Sequence, residues 1–230
     1  LNPNRVMNKT RSYITPILML LIGLAAIFAI ILQMQHSVHP PRVIEKMSPG
    51  QRIAIIDSHY VNLPFNLTMR PPSPEWPMHI MSRDTVLNTI TTDSSLFSQI
   101  HWMLEINVPP DSPKTVASRF GVLKAGNSEA QEIAIQLLAN VLKRYEKEGE
   151  RATIFKPVTT AVHPVLDGAY FGVVLPTSSL LRPVWVLTVL KREPWMFVIL
   201  SQTTAESYPK AREDMRLIVA QFRALPRTYL

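Results

Sequence analysis

The chain has 230 residues, with 24 Lys and Arg against 17 Asp and Glu, a net charge of +7 and no cysteine. The missing cysteine excludes disulfides, thiolate metal sites, cysteine nucleophiles and haem attachment through a C-x-x-C-H motif. The basic residues are scattered and form no block of like charge, which argues against a nucleic-acid tail and for a mildly basic surface facing anionic headgroups or an acidic partner.

Residues 1–12 read as a short basic stub that carries Arg5, Lys9 and Arg11. The run that follows, Ile14 to Leu32 (ITPILMLLIGLAAIFAIIL), holds no charge, and Thr15 is its only polar side chain. At about 1.5 Å per residue, some twenty such residues cross the roughly 30 Å hydrocarbon core of a bilayer. Residues 13–33 are therefore predicted to form one transmembrane helix, with Ile14, Leu18, Leu21, Gly23, Phe28 and Ile31 in the anchor. The run exceeds a signal-peptide core and no A-x-A site follows it, so the segment is expected to be retained. Three cations flank it on the N-terminal side and the first beyond it is Arg42, which predicts a cytoplasmic N-terminus with the domain across the membrane.

From Gln33 the chain turns polar and proline-rich, with Pro40, Pro41, Pro49, Pro64, Pro71, Pro72, Pro74 and Pro77. Each proline removes a donor and obstructs the preceding turn, so a long helix is excluded. Residues 34–61 are assigned to an extracytoplasmic spacer, within which RIAIID (Arg52 to Asp57) suits either a strand or an anchoring contact. His36 and His39 have no third ligand near them in sequence. Asp57-Ser58-His59 contains triad residue types, but adjacent side chains cannot reach triad geometry.

Residues 62–230 are the length of one ordinary domain with a proper core. Phe65 to Met69 (FNLTM) reads as a short strand, and Ser82 to Ser98 as loop with weak strand. Ile100, Trp102, Leu104, Ile106 and Val108 recur at period two, predicting a half-buried strand with His101, Met103, Glu105 and Asn107 on its other face. Ser128-x-x-Gln131 is a capping-box pattern that opens a helix, and Gly149 closes it. Its apolar stripe is Ala130, Ala134, Leu137, Leu138, Val141 and Tyr145. Ala152 to Val162 is a strand that Pro157 confines to an edge or a bulge. Asp167-Gly168 reads as a hairpin turn before the strand AYFGVVL, and VWVLTVL and WMFVILS follow as central strands joined by KREP. Tyr208-Pro209 starts a last helix, with Ala211, Met215, Ile218, Phe222 and Leu225 on one face and Pro226 at its end. The expected fold class is α+β: a transmembrane helix followed by one α/β/α sandwich with a central antiparallel sheet.

No G-x-G-x-x-G, Walker loop, G-x-S-x-G elbow or H-E-x-x-H is present, and glycine totals only seven. The reading is of a non-enzyme with no catalytic residue, no metal, no cofactor, no nucleic-acid partner and no small-molecule substrate. The four tryptophans, Trp76, Trp102, Trp185 and Trp195, suit core or interface anchors. Pro16 and Gly23 give the predicted span room to pack on another helix. Together with Pro40, Pro41 and Trp76 they are the candidate interface residues.

The order of elements from Asn62 to Leu225 resembles the PsbP-like domains, a fold shared with the Ran-binding Mog proteins and bacterial DcrB lipoproteins. FNLTMRPPSPEW carries the early strand, proline and tryptophan. The central amphipathic helix, DG-AYFGVVL, VWVLTVLKREPWMFVILS and the closing MRLIVAQF complete the likeness. The family's closing helix often ends in Ser-Phe, where this chain has Gln221-Phe222. The resemblance implies a non-catalytic accessory subunit that docks on and stabilises a larger membrane complex, photosynthetic (reaction centre or antenna) or respiratory. It also implies a bacterial inner or intracytoplasmic membrane, with that complex's subunits and the lipid bilayer as partners. A second reading is a VirB-type periplasmic scaffold of a secretion system, whose domain places helices first and a curved sheet after. A third, a tethered ligand-binding or enzyme domain, requires a deep pocket with convergent polar groups.

Overall fold

The computed structural model describes residues 44–81, 96–109, 115–124, 126–147, 149–176 and 182–225, together with Met19 and Ser112. The chain divides into two units, Leu1–Lys46 and Met47–Leu230. Apart from Met19, the predicted span lies outside the described residues, including Ile14, Pro16, Leu18, Leu21, Gly23, Phe28 and Ile31, as do His36, His39, Pro40 and Pro41. No helix among the described residues is long and apolar enough to cross a membrane.

The second unit begins with a hairpin, β1 (Ile53–Ile56) and β2 (His59–Asn62), in which Ile56 pairs with His59. Asp57 and Ser58 between them have φ of 49° and 57°, the two positive values that a type I′ turn requires. Residues 53–61, expected in the spacer, therefore belong to the folded unit. The Asp57-Ser58-His59 cluster is a turn in which His59 Nδ1 lies 2.8 Å from the Asp57 carbonyl oxygen. β3 (Leu67–Met69) follows, confirming the strand read in FNLTM.

The main sheet is built from β4 (Met78–Ile80), β5 (His101–Asn107), β6 (Ala117–Lys124), β7 (Thr153–Thr160), β8 (Gly168–Val174), β9 (Pro183–Arg192) and β10 (Trp195–Thr204). Its order is β4-β5-β6-β10-β9-β8-β7, antiparallel throughout. Helix α1 (Ala130–Lys147) lies on one face, against β7, β8 and β9. Helix α2 (Tyr208–Ala220) packs against β10, its apolar side in a separate core on the other face. A two-residue strand, β11 (Arg223–Ala224), pairs with β3 and completes a second sheet of order β1-β2-β3-β11. The expected helix on each face is present. The second sheet was not anticipated.

β10 shows why the middle of the main sheet reads as continuous apolar sequence. Met196, Val198 and Leu200 enter the core under α1, while Phe197 and Ile199 enter the core under α2. A strand buried on both faces cannot alternate with polar residues. The α1 stripe is as expected with one addition, since Ile133 is also buried and Leu138 and Tyr145 are only partly so. The reach-back bond at the start of α1 falls one residue beyond the expected box: Glu129 N–H donates to the Glu132 carboxylate at 3.2 Å. At the other end Gly149 has φ +75°. Its N–H bonds to the Glu146 carbonyl and Glu150 N–H to that of Tyr145, which is a Schellman stop.

Three further expectations are corrected, and one strand, β6, is added to those expected. The period-two run of β5 is broken by a bulge between Trp102 and Leu104. Ile100 and Trp102 thus face α1, while Leu104 and Ile106 face the α2 side. An extra residue reverses the alternation of everything after it. β6 escaped the sequence reading because Ser118, Arg119 and Gly121 interrupt its pattern. Asp167-Gly168 is not a tight turn: Ala161 N–H bonds to the Gly168 carbonyl at 2.8 Å, so 162–167 form a longer loop. α2 ends at Ala220, before Phe222 and Leu225, which are buried at 0% and 2% exposure from an irregular segment and not from the helix.

Candidate docking surface

Among the described residues, no group of three or more His, Asp or Glu side chains is placed to hold a metal ion. His101 and Glu105, read as sharing a strand face, are separated by the β5 bulge. His101 approaches the Phe65 ring at 6.5 Å, whereas Glu105 projects between Leu104 and Ile106 to the opposite face and meets Arg119 at 3.8 Å. Trp76 was expected at an interface. It is 9% exposed and packs in the α2-side core, so its ring is not offered to a partner.

The apolar surface that is offered lies elsewhere. In the loop between β7 and β8, Val162 is 90% exposed and Val165 74%, with Pro164 exposed between them. No other large hydrophobic side chain described in Met47–Leu230 exceeds 51%. His163, half-buried, holds this loop in shape. Its Nδ1 accepts the N–H groups of Val165 at 3.2 Å and Leu166 at 3.0 Å. Its Nε2 must then carry the proton and donate it to the Phe222 carbonyl oxygen at 3.1 Å.

Burial is the main influence on this ring and pushes its pKa below the ordinary histidine value. The Phe222 hydrogen bond acts in the opposite sense, and Arg223 reinforces the lowering. A histidine whose folded pKa is depressed contributes stability that is fully present above its unfolded value near 6.5. That contribution is lost as pH falls toward the folded value. Between about pH 7 and 5 the urea midpoint of the wild-type chain is expected to fall more steeply than that of His163→Gln. Parallel slopes would remove His163 as the cause.

The Phe222 carbonyl oxygen also receives Arg223 Nη1 at 3.2 Å, so His163 and Arg223 meet at one atom. Arg223 Nη1 further caps α2 by donating to the Ala220 carbonyl. Across the short pairing of β11 with β3, Arg223 stands opposite Thr68. The same register carried two residues further sets Gln221 opposite Arg70, and Arg70 Nε donates to Gln221 Oε1 at 2.8 Å. Arg70 and Arg223 are thus diagonal neighbours, close enough for side-chain contact. Burial lowers the Arg223 pKa first and the charge of Arg70 lowers it further. Neither arginine forms an ion pair with a carboxylate among the described residues.

A second exposed feature is the outer edge at β7. The Phe155 ring lies over Gly172, where an added Cβ would sit 2.4 Å from its Cζ, and meets the Tyr208 ring edge-on at 5.0 Å. Lys156 Nζ stands 5.7 Å from the centroid of the Tyr170 ring. Pro157 and two register shifts interrupt β7, and these protect an edge strand against further pairing. The aromatic group therefore offers side-chain contact and not strand addition.

A seven-stranded antiparallel sheet with one helix on each face and a small second sheet beside α2 defines a PsbP-like α+β fold. The chain is similar to cyanobacterial PsbP (CyanoP) from Synechocystis sp. PCC 6803, with TM-score 0.50 and 7% identity over 77% of this chain and 99% of that one. A Bacteroides thetaiotaomicron structure matches at TM-score 0.39 and 14% identity, covering 70% of this chain and 46% of that one. A protein of unknown function from Pseudomonas aeruginosa matches at TM-score 0.39 and 10% identity, covering 61% and 92%. No protein-family model and no curated protein matches this sequence.

Proposed function

We propose that this chain is a non-catalytic accessory subunit, anchored by residues 13–33, whose α+β domain docks on and stabilises a larger membrane complex. The complex is a photosynthetic reaction centre or antenna, or a respiratory assembly, in a bacterial inner or intracytoplasmic membrane with the domain on the periplasmic side. The observation that supports this reading is the likeness of fold to cyanobacterial PsbP over 99% of that chain. The secretion-scaffold reading expects clustered helices ahead of a curved sheet. Among the described residues six strands precede α1, so that reading has no observation in its favour.

The test is purification of the full chain from native membranes in mild detergent, followed by pigment spectra and mass spectrometry of what co-elutes. Reaction-centre, antenna or respiratory polypeptides in stoichiometric amounts are the expected result. Secretion-machine components in their place, or a chain that elutes alone, would overturn the proposal.

A further inference from the structure

We propose that the corner formed by the β7–β8 loop and the β3–β11 pair is a lipid-surface contact. Val162, Pro164 and Val165 enter the bilayer interface, and Arg70 and Arg223 bind the phosphates of anionic headgroups. The inference concerns the domain surface and is independent of any partner complex. Three observations converge on it. The two most exposed valines among the described residues occupy one loop tip, at 90% and 74% exposure. That loop is held through His163 to the Phe222 carbonyl, the same oxygen that Arg223 binds. Among the described residues, Arg223 and its diagonal neighbour Arg70 are held by neutral acceptors: the Ala220 and Phe222 carbonyls and the Gln221 amide.

The chemistry favours lipid over a folded protein partner. Three small apolar side chains at a loop tip are far short of the about 800 Å² per partner that a stable protein interface buries. They are sufficient for shallow entry among headgroups, where apolar area and attraction to anionic lipid add together. Guanidinium groups match phosphate oxygens in pairs, and among the described residues no carboxylate pairs with these two. The acidic residue of the loop, Asp167, sits at its β8 end, where its carbonyl accepts the Lys191 N–H at 2.8 Å.

The absence of cysteine allows a single probe to be placed at will. The full chain with Val162→Cys, labelled with an environment-sensitive dye, is reconstituted in vesicles whose acyl chains carry a quencher. One set contains phosphatidylglycerol with phosphatidylcholine, and the other phosphatidylcholine alone. The dye is expected to be quenched in the anionic vesicles and much less in the neutral ones. An Ile135→Cys control on α1 should remain unquenched in both. Arg70→Gln, an exposed position, should reduce engagement of the Val162 probe at limiting anionic lipid by about fivefold. Val165→Asp, probed in the same way, should abolish it.

Quenching no greater than at Ile135, or equal in the two lipids, would overturn the proposal. Displacement by inorganic phosphate at constant ionic strength would reassign the arginines to a free oxyanion. Quenching that requires a co-purifying complex would reassign the corner to protein docking.

Discussion

Replacing Phe222 by Ala is expected to cost about 3–5 kcal/mol, the usual range for deleting a buried aromatic ring. The ring is 0% exposed and lies 4.9 Å from Phe197 and 5.1 Å from Phe120, so three aromatics from the segment after α2, from β10 and from β6 share one contact. Its removal leaves a cavity that three separate elements would have to move to fill. Domains of this size are stable by only about 5–15 kcal/mol, so the variant should be close to its folding threshold. Urea unfolding followed by tryptophan fluorescence measures the change. A loss below about 1 kcal/mol would mean that the α2-side core collapses freely around the gap and that the packing inferred here is wrong. The same variant should release the loop held by His163, because the Phe222 carbonyl is positioned by its buried ring.

Gly121→Ala is expected to destabilise the fold by about 1–3 kcal/mol, although it adds a single methyl group. A Cβ at this position would lie 2.5 Å from Ile100 Cγ2, 2.9 Å from Trp102 Cε3 and 3.1 Å from the His101 carbonyl oxygen. Ile100 and Trp102 are themselves 5% and 2% exposed under α1, so they have little room to retreat. Gly121 also pairs with Trp102 at the point where the β5 register shifts. Glycine here admits an indole across the strands beside a bulge, and the measured quantity is again the urea midpoint. An unchanged midpoint would show that the bulge can absorb the added methyl group.

The apolar periodicities of α1, β9 and β10 were readable because each element buries its face against neighbours whose identity does not matter to the pattern. α1 needs only an apolar sheet beneath Ala134, Leu137 and Val141. β10 is apolar on both faces because both faces are covered. Where a single residue changes the geometry, periodicity misleads. The β5 bulge moves Leu104 and Ile106 to the face opposite Trp102, and His101 and Glu105 part with them. The α2 stripe continued in sequence to Phe222 and Leu225, because burial repeats in sequence whether or not the backbone stays helical.

The exposed corner was less accessible still. Val162 reads as the end of a strand, and little in the local sequence marks the loop after it as outward-facing. Arg70 and Arg223 are far apart in sequence and meet only because β11, two residues long, pairs with β3. Trp76 shows the reverse: a tryptophan beside prolines suggested an anchor at an interface, and the tertiary fold put it in the core. A loose cue was available in VHPV, where two valines flank His and Pro without strand periodicity.

Composition and periodicity alone thus determined the α+β class, the antiparallel strands at the middle of the main sheet, the two amphipathic helices and the lack of thiol chemistry. These depend on interactions between near neighbours in the chain and on burial as such. The tertiary structure decided the second sheet, the faces on which β5 residues lie, the burial of Trp76, and the meeting of Val162, His163, Arg70 and Arg223 at one corner. Each of these depends on long-range pairing register or on a single bulge, and one residue of register moves every later side chain in a strand to the other face.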